Sequence, residues 1–338
     1  MNVAVCFNLV PPQLLKGEAG DRISEEGAEI EARSVQKALR ELGHSAQLVP
    51  LGSDISVTIE ELRALRPDAV FNLCEGFWGN SRKEMHVAAL FDLLDYPCTG
   101  ASPLCLGLTQ DKARTKDLLL RHGLPTPKYT LVKLGEQFLR IRDLAYPLIV
   151  KPRFEDASLG IGADSIVDNE RDLKRRIDYV HRTYRQGALV EEFIVGREIN
   201  AAVLGNAPFE ALPLSEIRFA PGLRHSIVSY DGKWREESAE FAATVPVCPA
   251  PLKGKEEILV KDVALRAYKI LECRDYARVD IRLRDGVPYI LEINANPDIS
   301  PDAGLARAAD QAGISYKQLI DRILQMALKR KETAHAKP

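Results

Sequence analysis

Alternation and periodicity of apolar positions divide the first hundred residues into short strands and helices. The pattern predicts strands at Val3–Leu9, Ala46–Leu51 and Ala69–Leu73, and helices at Ser24–Leu42 and Glu84–Leu94. The third strand is apolar throughout, as in a parallel sheet that is covered on both faces. Strands that alternate with helices predict a small doubly wound α/β domain over residues 1–100.

The first of these helices has sequence signals at both ends. Ser24 is the predicted N-cap, and Gly43 ends the helix. Glu25 and Glu26 fall in its first turn, where carboxylates interact favourably with the helix dipole.

The remainder of the chain, residues 101–338, has a mixed pattern. It predicts helices near 112–121, 134–143, 170–184 and 315–328, and strands at 129–133, 147–151, 189–194 and 199–204. Further strands crowd the region from Phe209 to Asn294. We therefore expect an α+β arrangement of two lobes, 101–188 and 189–338, that face one another across a cleft.

Composition excludes several classes of protein. The 338 residues carry a net charge of −2, so no basic field favours nucleic acid or anionic lipid. No apolar run approaches the ~20 residues of a membrane helix, and the N-terminus has no signal-peptide pattern. Six scattered cysteines without zinc or C-x-x-C spacing predict reduced thiols in a cytoplasmic protein.

The segment Tyr276–Asn294 predicts a β-hairpin with Asp285-Gly286 in its turn. Its apolar residues must share the core face: Val279, Ile281 and Leu283 on one strand, with Tyr289, Leu291 and Ile293 on the other. This register requires an odd loop, 284–286, and places Arg278 opposite Glu292. The charged and polar set Arg278, Asp280, Glu292 and Asn294 then shares the opposite face.

Two carboxylates and an amide oxygen on one face are ligands that Mg²⁺ accepts. The alternative is a solvated hairpin face with a cross-strand ion pair. Asn294 favours the metal site, because asparagine is disfavoured in strands.

Other segments carry weaker signals. A strand ending at Lys151 runs into a loop with Ser158 and two glycines, which suits phosphate but also an ordinary surface loop. A strand–turn–strand reading of 189–199 places Glu191 near Glu198, where they suit an adenine amino group or ribose hydroxyls; a solvated hairpin is the alternative. Lys112 and Lys116 lie four apart on one helix face, for which solvent exposure is the simplest interpretation.

In combination these segments resemble the ATP-grasp superfamily, and within it the D-alanine–D-alanine ligase family. The matching segments follow in the family's order: Phe71-Asn72-Leu73 with Gly76, Cys98-Thr99-Gly100, Asp111-Lys112 with Lys116, Val150-Lys151-Pro152 and its glycine loop, Glu191-Glu192-Phe193-Ile194 with Gly196 and Glu198, Cys248-Pro249-Ala250, Arg278-Val279-Asp280, and Leu291-Glu292-Ile293-Asn294. Each motif is weak alone, whereas the joint order over residues 1–328 is specific.

The resemblance implies an ATP-grasp fold and a role for each matching residue. By position it implies phosphate-binding lysines at Lys112 and Lys151 with Ser158 in the glycine loop, an adenine-contacting segment at Glu191 and Ile194, a ribose ligand at Glu198, a lysine near the γ-phosphate at Lys233, ligands for Mg²⁺ (or Mn²⁺) at Asp280, Glu292 and Asn294, and a catalytic arginine at Arg278. It also implies a homodimer and small-molecule carboxylate and amine substrates.

The implied reaction joins a carboxylate to an amine. The carboxylate attacks the γ-phosphate of ATP, and the amine then displaces phosphate from the acyl-phosphate. Phosphoryl transfer rests mostly on positioning and charge neutralisation, so lysines, Mg²⁺ and an arginine can suffice. The loops 153–162 and 221–240 are the expected lids that exclude water.

The substrate end departs from the family pattern. Members that make D-alanyl-D-alanine usually carry histidine at the position of Glu75, glycine at Asp298 and serine at Ala303, and the loop positions Ala157 and Trp234 differ as well. Glu26 remains to receive the ammonium of a first amino acid. We therefore expect an acceptor other than D-alanine, unless Asp298 turns to cap the following helix. The alternatives are a genuine D-alanine–D-alanine ligase, a nucleotide-binding protein without ligase activity, and an enzyme that carboxylates or phosphorylates.

Overall fold

The computed structural model describes residues 1–13, 16–18, 22–136, 141–222, 225–235 and 237–335, and for residues 22–26, 334 and 335 the backbone alone. The strands are β1 Asn2–Asn8, β2 Ser45–Leu51, β3 Ala69–Asn72, β4 Tyr129–Val132, β5 Leu148–Pro152, β6 Ile166–Val167, β7 Ala188–Glu192, β8 Arg197–Gly205, β9 Phe209–Ala211, β10 Ser215–Phe219, β11 Thr244–Val247, β12 Tyr276–Arg284 and β13 Val287–Asn294. The helices are α1 Arg22–Glu41, α2 Ile55–Leu65, α3 Glu84–Leu93, α4 Pro103–Gln110, α5 Lys112–Arg121, α6 Glu170–Tyr184, α7 Tyr230–Trp234, α8 Ala239–Ala242, α9 Lys255–Ile270, α10 Gly304–Gln311 and α11 Tyr316–His335.

The N-terminal sheet is parallel, with strand order β2-β1-β3. Apolar side chains of β1 are buried on both faces, because helices cover the sheet on both sides. The doubly wound prediction is confirmed. α1 begins at Arg22, so the prediction of Ser24 as N-cap was wrong and Ser24 lies inside the first turn.

A four-stranded antiparallel sheet, β4-β7-β5-β6, forms the second layer of the molecule. The helix α6 packs against β5 and β7 and buries Leu173, Ile177 and Val180. Asn169 caps its N-terminus by accepting a hydrogen bond from the Asp172 N–H. In this sheet, Lys151 lies near the end of β5 and Glu191 near the end of β7.

The third sheet contains β11-β10-β8-β12-β13, with β9 on β8. β12 and β13 form the predicted hairpin, but its register differs from the prediction. Arg278 pairs with Asn294 and Asp280 pairs with Glu292. The loop has two residues rather than three, and both Asp285 and Gly286 have positive φ, as a type I′ turn requires.

A bulge reconciles that short turn with the apolar pattern. The pairing shifts between Asp280 and Ile281, which leaves Leu291 without a partner on β12. Ile290 and Ile293 therefore enter the core, whereas Tyr289 and Leu291 were predicted to do so and lie only partly buried. The predicted polar set still shares one face, because Glu292 and Asn294 pair with β12 on the far side of the bulge from the turn. Only the residues of β13 between the turn and Glu292 exchange the faces on which their side chains lie.

The chain crosses from the second sheet to the third at residues 193–196, which we call the linker. The predicted hairpin of 189–199 was wrong, since β7 and β8 belong to different sheets. Glu191 and Glu198 consequently lie on two separate sheets rather than on paired strands.

Six helices of the described part of the chain were not predicted from the sequence: α2, α4, α7, α8, α9 and α10. α9 buries Val260, Val263, Ala264 and Ala267. This spacing indicates a helix, although the sequence analysis assigned the region to strands. The centre of the helix predicted at 134–143 lies outside the described residues, and the described residues at either end of it are not helical. Among the residues that the structure describes, no helix is long and apolar enough to cross a membrane.

The C-terminal helix α11 returns to the N-terminal sheet. Its residues Leu319, Ile320 and Ile323 share a buried cluster with Val3 and Phe71, and α11 packs along α1 and β3. The first and last thirds of the chain therefore share one core, which fixes the N-terminal sheet against the third sheet.

Replacement of Gly196 in the linker by alanine is expected to destabilise the protein by roughly 1–3 kcal/mol. A Cβ there would clash with the backbone carbonyl oxygen of Leu283 on β12, so the linker and β12 would have to move apart. Urea unfolding measures the effect. Gly52→Ala is the control, since its added Cβ meets only Leu9 at 3.9 Å; equal stability of both variants would contradict the expectation.

Candidate active site

Residues from all three sheets line one cavity of about 830 Å³. Every site residue predicted from the sequence whose side chain is described lines this cavity: Glu75, Lys112, Lys151, Ser158, Glu191, Ile194, Glu198, Lys233, Arg278, Asp280, Glu292, Asn294 and Asp298. The side chain of Glu26 is outside the described part, but its neighbour Gly27 lines the cavity as well.

The floor of the cavity is a charged face on β8, β12 and β13. Arg278 donates to both carboxylate oxygens of Asp280, with Nε–Oδ1 2.8 Å and Nη2–Oδ2 2.9 Å. Asn200 donates to Oδ1 at 2.7 Å and Asn294 to Oδ2 at 3.0 Å. Burial alone would raise the pKa of Asp280, but the Arg278 guanidinium outweighs it and the pKa is lowered. Asp280 is thus held as a carboxylate.

This face fits a hard divalent cation. Asp280 and Glu292 are directly paired across β12 and β13, and Asn294 is two residues from Glu292 on the same strand. Each of these three side chains carries an oxygen atom that can coordinate a cation. Glu292 lies 3.9 Å from the ammonium of Lys112, and this is the longest ion pair among the described residues of the site. No group of three or more His, Cys, Asp or Glu side chains suited to a metal occurs in the described ranges, so two carboxylates and an amide form the candidate set.

Lys112 and Lys116 are buried, which contradicts the interpretation that they are solvent-exposed. Lys112 donates to Asp156 at 2.8 Å and to the carbonyl of Glu155, both in the glycine loop 153–162. Lys116 is fully buried and donates to Thr126 at 2.8 Å. Burial, opposed only in part by Glu191, lowers the pKa of Lys116 to about 8.

Glu191 joins two lysines beneath the cavity. Its carboxylate lies 3.2 Å from Lys116 and 3.3 Å from Lys151. Burial would raise the pKa of Glu191, but the two ammonium groups prevail and lower it. Lys151 is thereby held at the end of β5 with its ammonium on the cavity wall.

Two lid segments meet over the cavity: the glycine loop 153–162 and the lid segment, residues 225–235. The Trp234 indole donates to the carbonyl of Ala157 at 3.0 Å, and the Ser158 hydroxyl donates to the carbonyl of Val228 at 3.2 Å. Both Ala157 and Ser158 have positive φ. Lys233, on α7 within the lid segment, faces Arg278; burial first, and then this like charge, lower the pKa of Lys233.

The end of the cavity away from the linker is acidic. Glu31 and Glu84 are 6% and 8% exposed, and both have raised pKa values, from burial first and then from neighbouring carboxylates, which include Glu75 in each case. Asp298 accepts from the Ser300 N–H at 2.8 Å. The alternative, in which Asp298 caps the next helix, does not hold, because α10 begins at Gly304 with Ala303 as its N-cap.

Several cavity residues were missed from the sequence. Arg282 and Asn200 follow from strand alternation, since Arg282 is two residues from Asp280 and Asn200 pairs with Asp280 on β8. Glu31 and Glu84 carried no such signal. They reach the cavity from α1 and from the start of α3, which only tertiary packing brings together.

The chain is similar in sequence to a known family of ligases. The family model of the D-Ala–D-Ala ligase C-terminus matches residues 118–325. A D-alanine–D-alanine ligase of Nitrosomonas europaea is 32% identical over 316 residues, covering 93% of this chain and 95% of the relative. The uncharacterised protein y4sG of Sinorhizobium fredii is 38% identical over 307 residues, 88% of each chain.

Solved structures agree in fold. The ATP complex of D-alanine–D-alanine ligase from Bacillus anthracis superposes with a TM-score of 0.76 at 23% identity, over 99% of both chains. The family model, the relatives and the fold together identify an ATP-dependent ligase of the ATP-grasp type, which forms an amide bond. Within this class, the chain belongs to the D-alanine–D-alanine ligase family.

Proposed function

We propose that the protein joins a carboxylate to an amine through an acyl-phosphate, with an acceptor other than D-alanine. The observation that carries the ligase part is the charged floor of β8, β12 and β13, which faces two buried lysines across one cavity. The observation that carries the acceptor part is Asp298, a carboxylate at the acidic end of that cavity.

ATP is the phosphoryl donor in this proposal. Lys112 and Lys151 neutralise its phosphates, and backbone N–H groups around Ser158 contact them from the glycine loop. Glu191 and Ile194 bound the adenine end, and Glu198 accepts from the ribose hydroxyls. Because Glu191 is ion-paired with two lysines, we expect it to orient Lys151 as well as to contact the base.

Asp280, Glu292 and Asn294 would hold Mg²⁺, which supplies charge neutralisation for the transferred phosphoryl group. The same oxygens suit Mn²⁺. Arg278 stabilises the negative charge that develops on the oxygen atoms of the substrate's carboxyl group when the amine attacks it. Lys233 approaches the same place from the lid segment. Closure of both lids excludes water, which would otherwise hydrolyse the acyl-phosphate.

Electrostatic repulsion disfavours D-alanine as the acceptor. Where family members place a glycine and a serine beside the acceptor carboxylate, this chain has Asp298 and Ala303. In a dry cleft, like charges a few ångströms apart repel by on the order of several kcal/mol, and the missing hydroxyl removes a donor worth roughly 1 kcal/mol. Glu75, on the same side of the cavity, adds negative charge near Asp298. An acceptor that is cationic, or that lacks a carboxylate at this place, avoids both costs.

With millimolar D-alanine as sole substrate, we expect D-alanyl-D-alanine at a rate at least ~100-fold below that with a cationic amine acceptor. Mass spectrometry of the products, with ATP and Mg²⁺ present, measures both rates from a panel of amino acids and amines. Efficient D-alanyl-D-alanine synthesis would establish the genuine D-alanine–D-alanine ligase instead.

The reverse substitution gives a second measurement. The double variant Asp298→Gly with Ala303→Ser is expected to raise D-alanyl-D-alanine synthesis roughly tenfold or more, because repulsion is removed and a donor restored. Asp302→Gly removes a carboxylate from the same loop and is the matched control. An equal gain in both variants would show that only overall charge matters.

A further inference from the structure

Arg282 is a buried cation that the proposed mechanism does not use. It lies on the cavity face of β12, two residues beyond Asp280, and its side chain is 3% exposed. It pairs directly with Glu198 on β8, and its Nη2 lies 2.5 Å from the Oε2 of Glu198. The Arg282 guanidinium thus contacts the carboxylate that, in the proposed function, accepts hydrogen bonds from the ribose of the nucleotide.

The same guanidinium reaches two other segments. Nη1 donates to the carbonyl of Gly196 in the linker at 3.0 Å, and Nη2 donates to the carbonyl of Ser226 in the lid segment at 2.5 Å. The rings of Phe193 and Phe219 lie 5.5 Å from its central carbon and limit its movement. One side chain therefore connects a strand, the linker and the lid.

Without this partner, Glu198 would lose its main counter-charge. Burial raises the pKa of Glu198, and the Arg282 guanidinium is the largest influence that opposes the rise. A carboxylate that is buried and unpaired tends to protonate and to change its orientation. Accepting hydrogen bonds from two ribose hydroxyls requires the ionised and oriented form.

We propose that Arg282 is a positioning residue for the nucleotide, which fixes the Glu198 carboxylate toward the ribose and anchors the linker and the lid segment to it. This rests on the proposed ribose role of Glu198. Arg282 touches neither the reacting carboxylate nor the phosphates in this scheme. Its effect is therefore expected on selectivity for the ribose rather than on chemistry.

The experiment measures dissociation constants of ATP, 2′-deoxy-ATP and 3′-deoxy-ATP by calorimetry with Mg²⁺, without any amine or carboxylate substrate. The full-length wild-type protein is expected to prefer ATP by about tenfold or more, since a charge-assisted hydrogen bond is lost with each hydroxyl. In Arg282→Met, affinity for ATP falls by about tenfold to a hundredfold. The selectivity ratio, which is the dissociation constant of a deoxy nucleotide divided by that of ATP, falls toward one. Arg282→Lys keeps the charge but reaches fewer acceptors, so its ratio is expected to lie between the two.

Two further variants separate the possible failures. Glu198→Gln is expected to lose the preference for ATP as Arg282→Met does, whereas Arg284→Met, on the same strand but outside the cavity, keeps it.

A wild-type selectivity ratio in both Arg282 variants, with a reduced ratio in Glu198→Gln, overturns the inference and leaves the proposed function standing. An unchanged ratio in Glu198→Gln overturns the ribose assignment and the inference together. If Arg282→Met does not fold, the ratio in Arg282→Lys decides, and a wild-type value there counts against the inference.

Discussion

Replacement of Glu292 by alanine is expected to lower turnover about a thousandfold or more while the fold persists. Glu292 faces the cavity, and its side chain is 27% exposed, so its removal leaves the core unchanged. It is one of three proposed metal ligands, and loss of metal placement removes charge stabilisation worth several kcal/mol at the transferred phosphoryl group. ADP release by the purified variant measures turnover.

A magnesium titration makes the test specific for the metal. At fixed ATP, the apparent Mg²⁺ requirement of Glu292→Ala should rise well above that of the wild type. Glu210→Ala is the matched control, because Glu210 is an exposed glutamate on β9 of the same sheet. Near wild-type turnover in Glu292→Ala, or the same loss in Glu210→Ala, would contradict the metal assignment.

Replacement of Lys151 by alanine is expected to weaken ATP binding by roughly a hundredfold, since a charge-assisted contact to phosphate is removed. Stability should fall less, because the buried Glu191 retains Lys116 at 3.2 Å. Titration calorimetry with ATP and a thermal melt of the same sample give the two quantities.

Lys133→Ala serves as the control for this variant. Lys133 is an exposed lysine at the end of β4 in the same sheet, so its loss should leave ATP affinity unchanged. If Lys151→Ala binds ATP like the wild type, the phosphate role is wrong. If its stability collapses and its affinity does not change, Lys151 serves only the buried ion pair with Glu191.

Period-two alternation explains why most of the charged face could be predicted from the sequence. Apolar Val279 and Ile281 must face the core, so Arg278 and Asp280 must face away from it. The partners across the hairpin were not predictable in the same way. The apolar set required a change of parity, which either an odd loop or a bulge provides, and the chain uses a two-residue turn with a bulge at Leu291.

Burial of the lysines could not be predicted, because it depends on segments far away in sequence. Lys112 is covered by the glycine loop some forty residues later, and Lys116 by Glu191 and the carbonyl of Leu291. A local pattern on a helix identifies neighbours four residues apart but not what folds over them. Glu191 and Glu198 were misplaced for a related reason, since nothing local indicates that the linker changes sheets.

In the proposed reaction, the protein activates a carboxylate as an acyl-phosphate. The most direct test labels the donor carboxylate with ¹⁸O and follows the label during turnover, for the first donor and acceptor pair that supports ADP release. We expect one amide product and one ADP per turnover, with one ¹⁸O from the carboxylate in the released inorganic phosphate. Release of AMP and pyrophosphate, or inorganic phosphate without the label, would contradict the account.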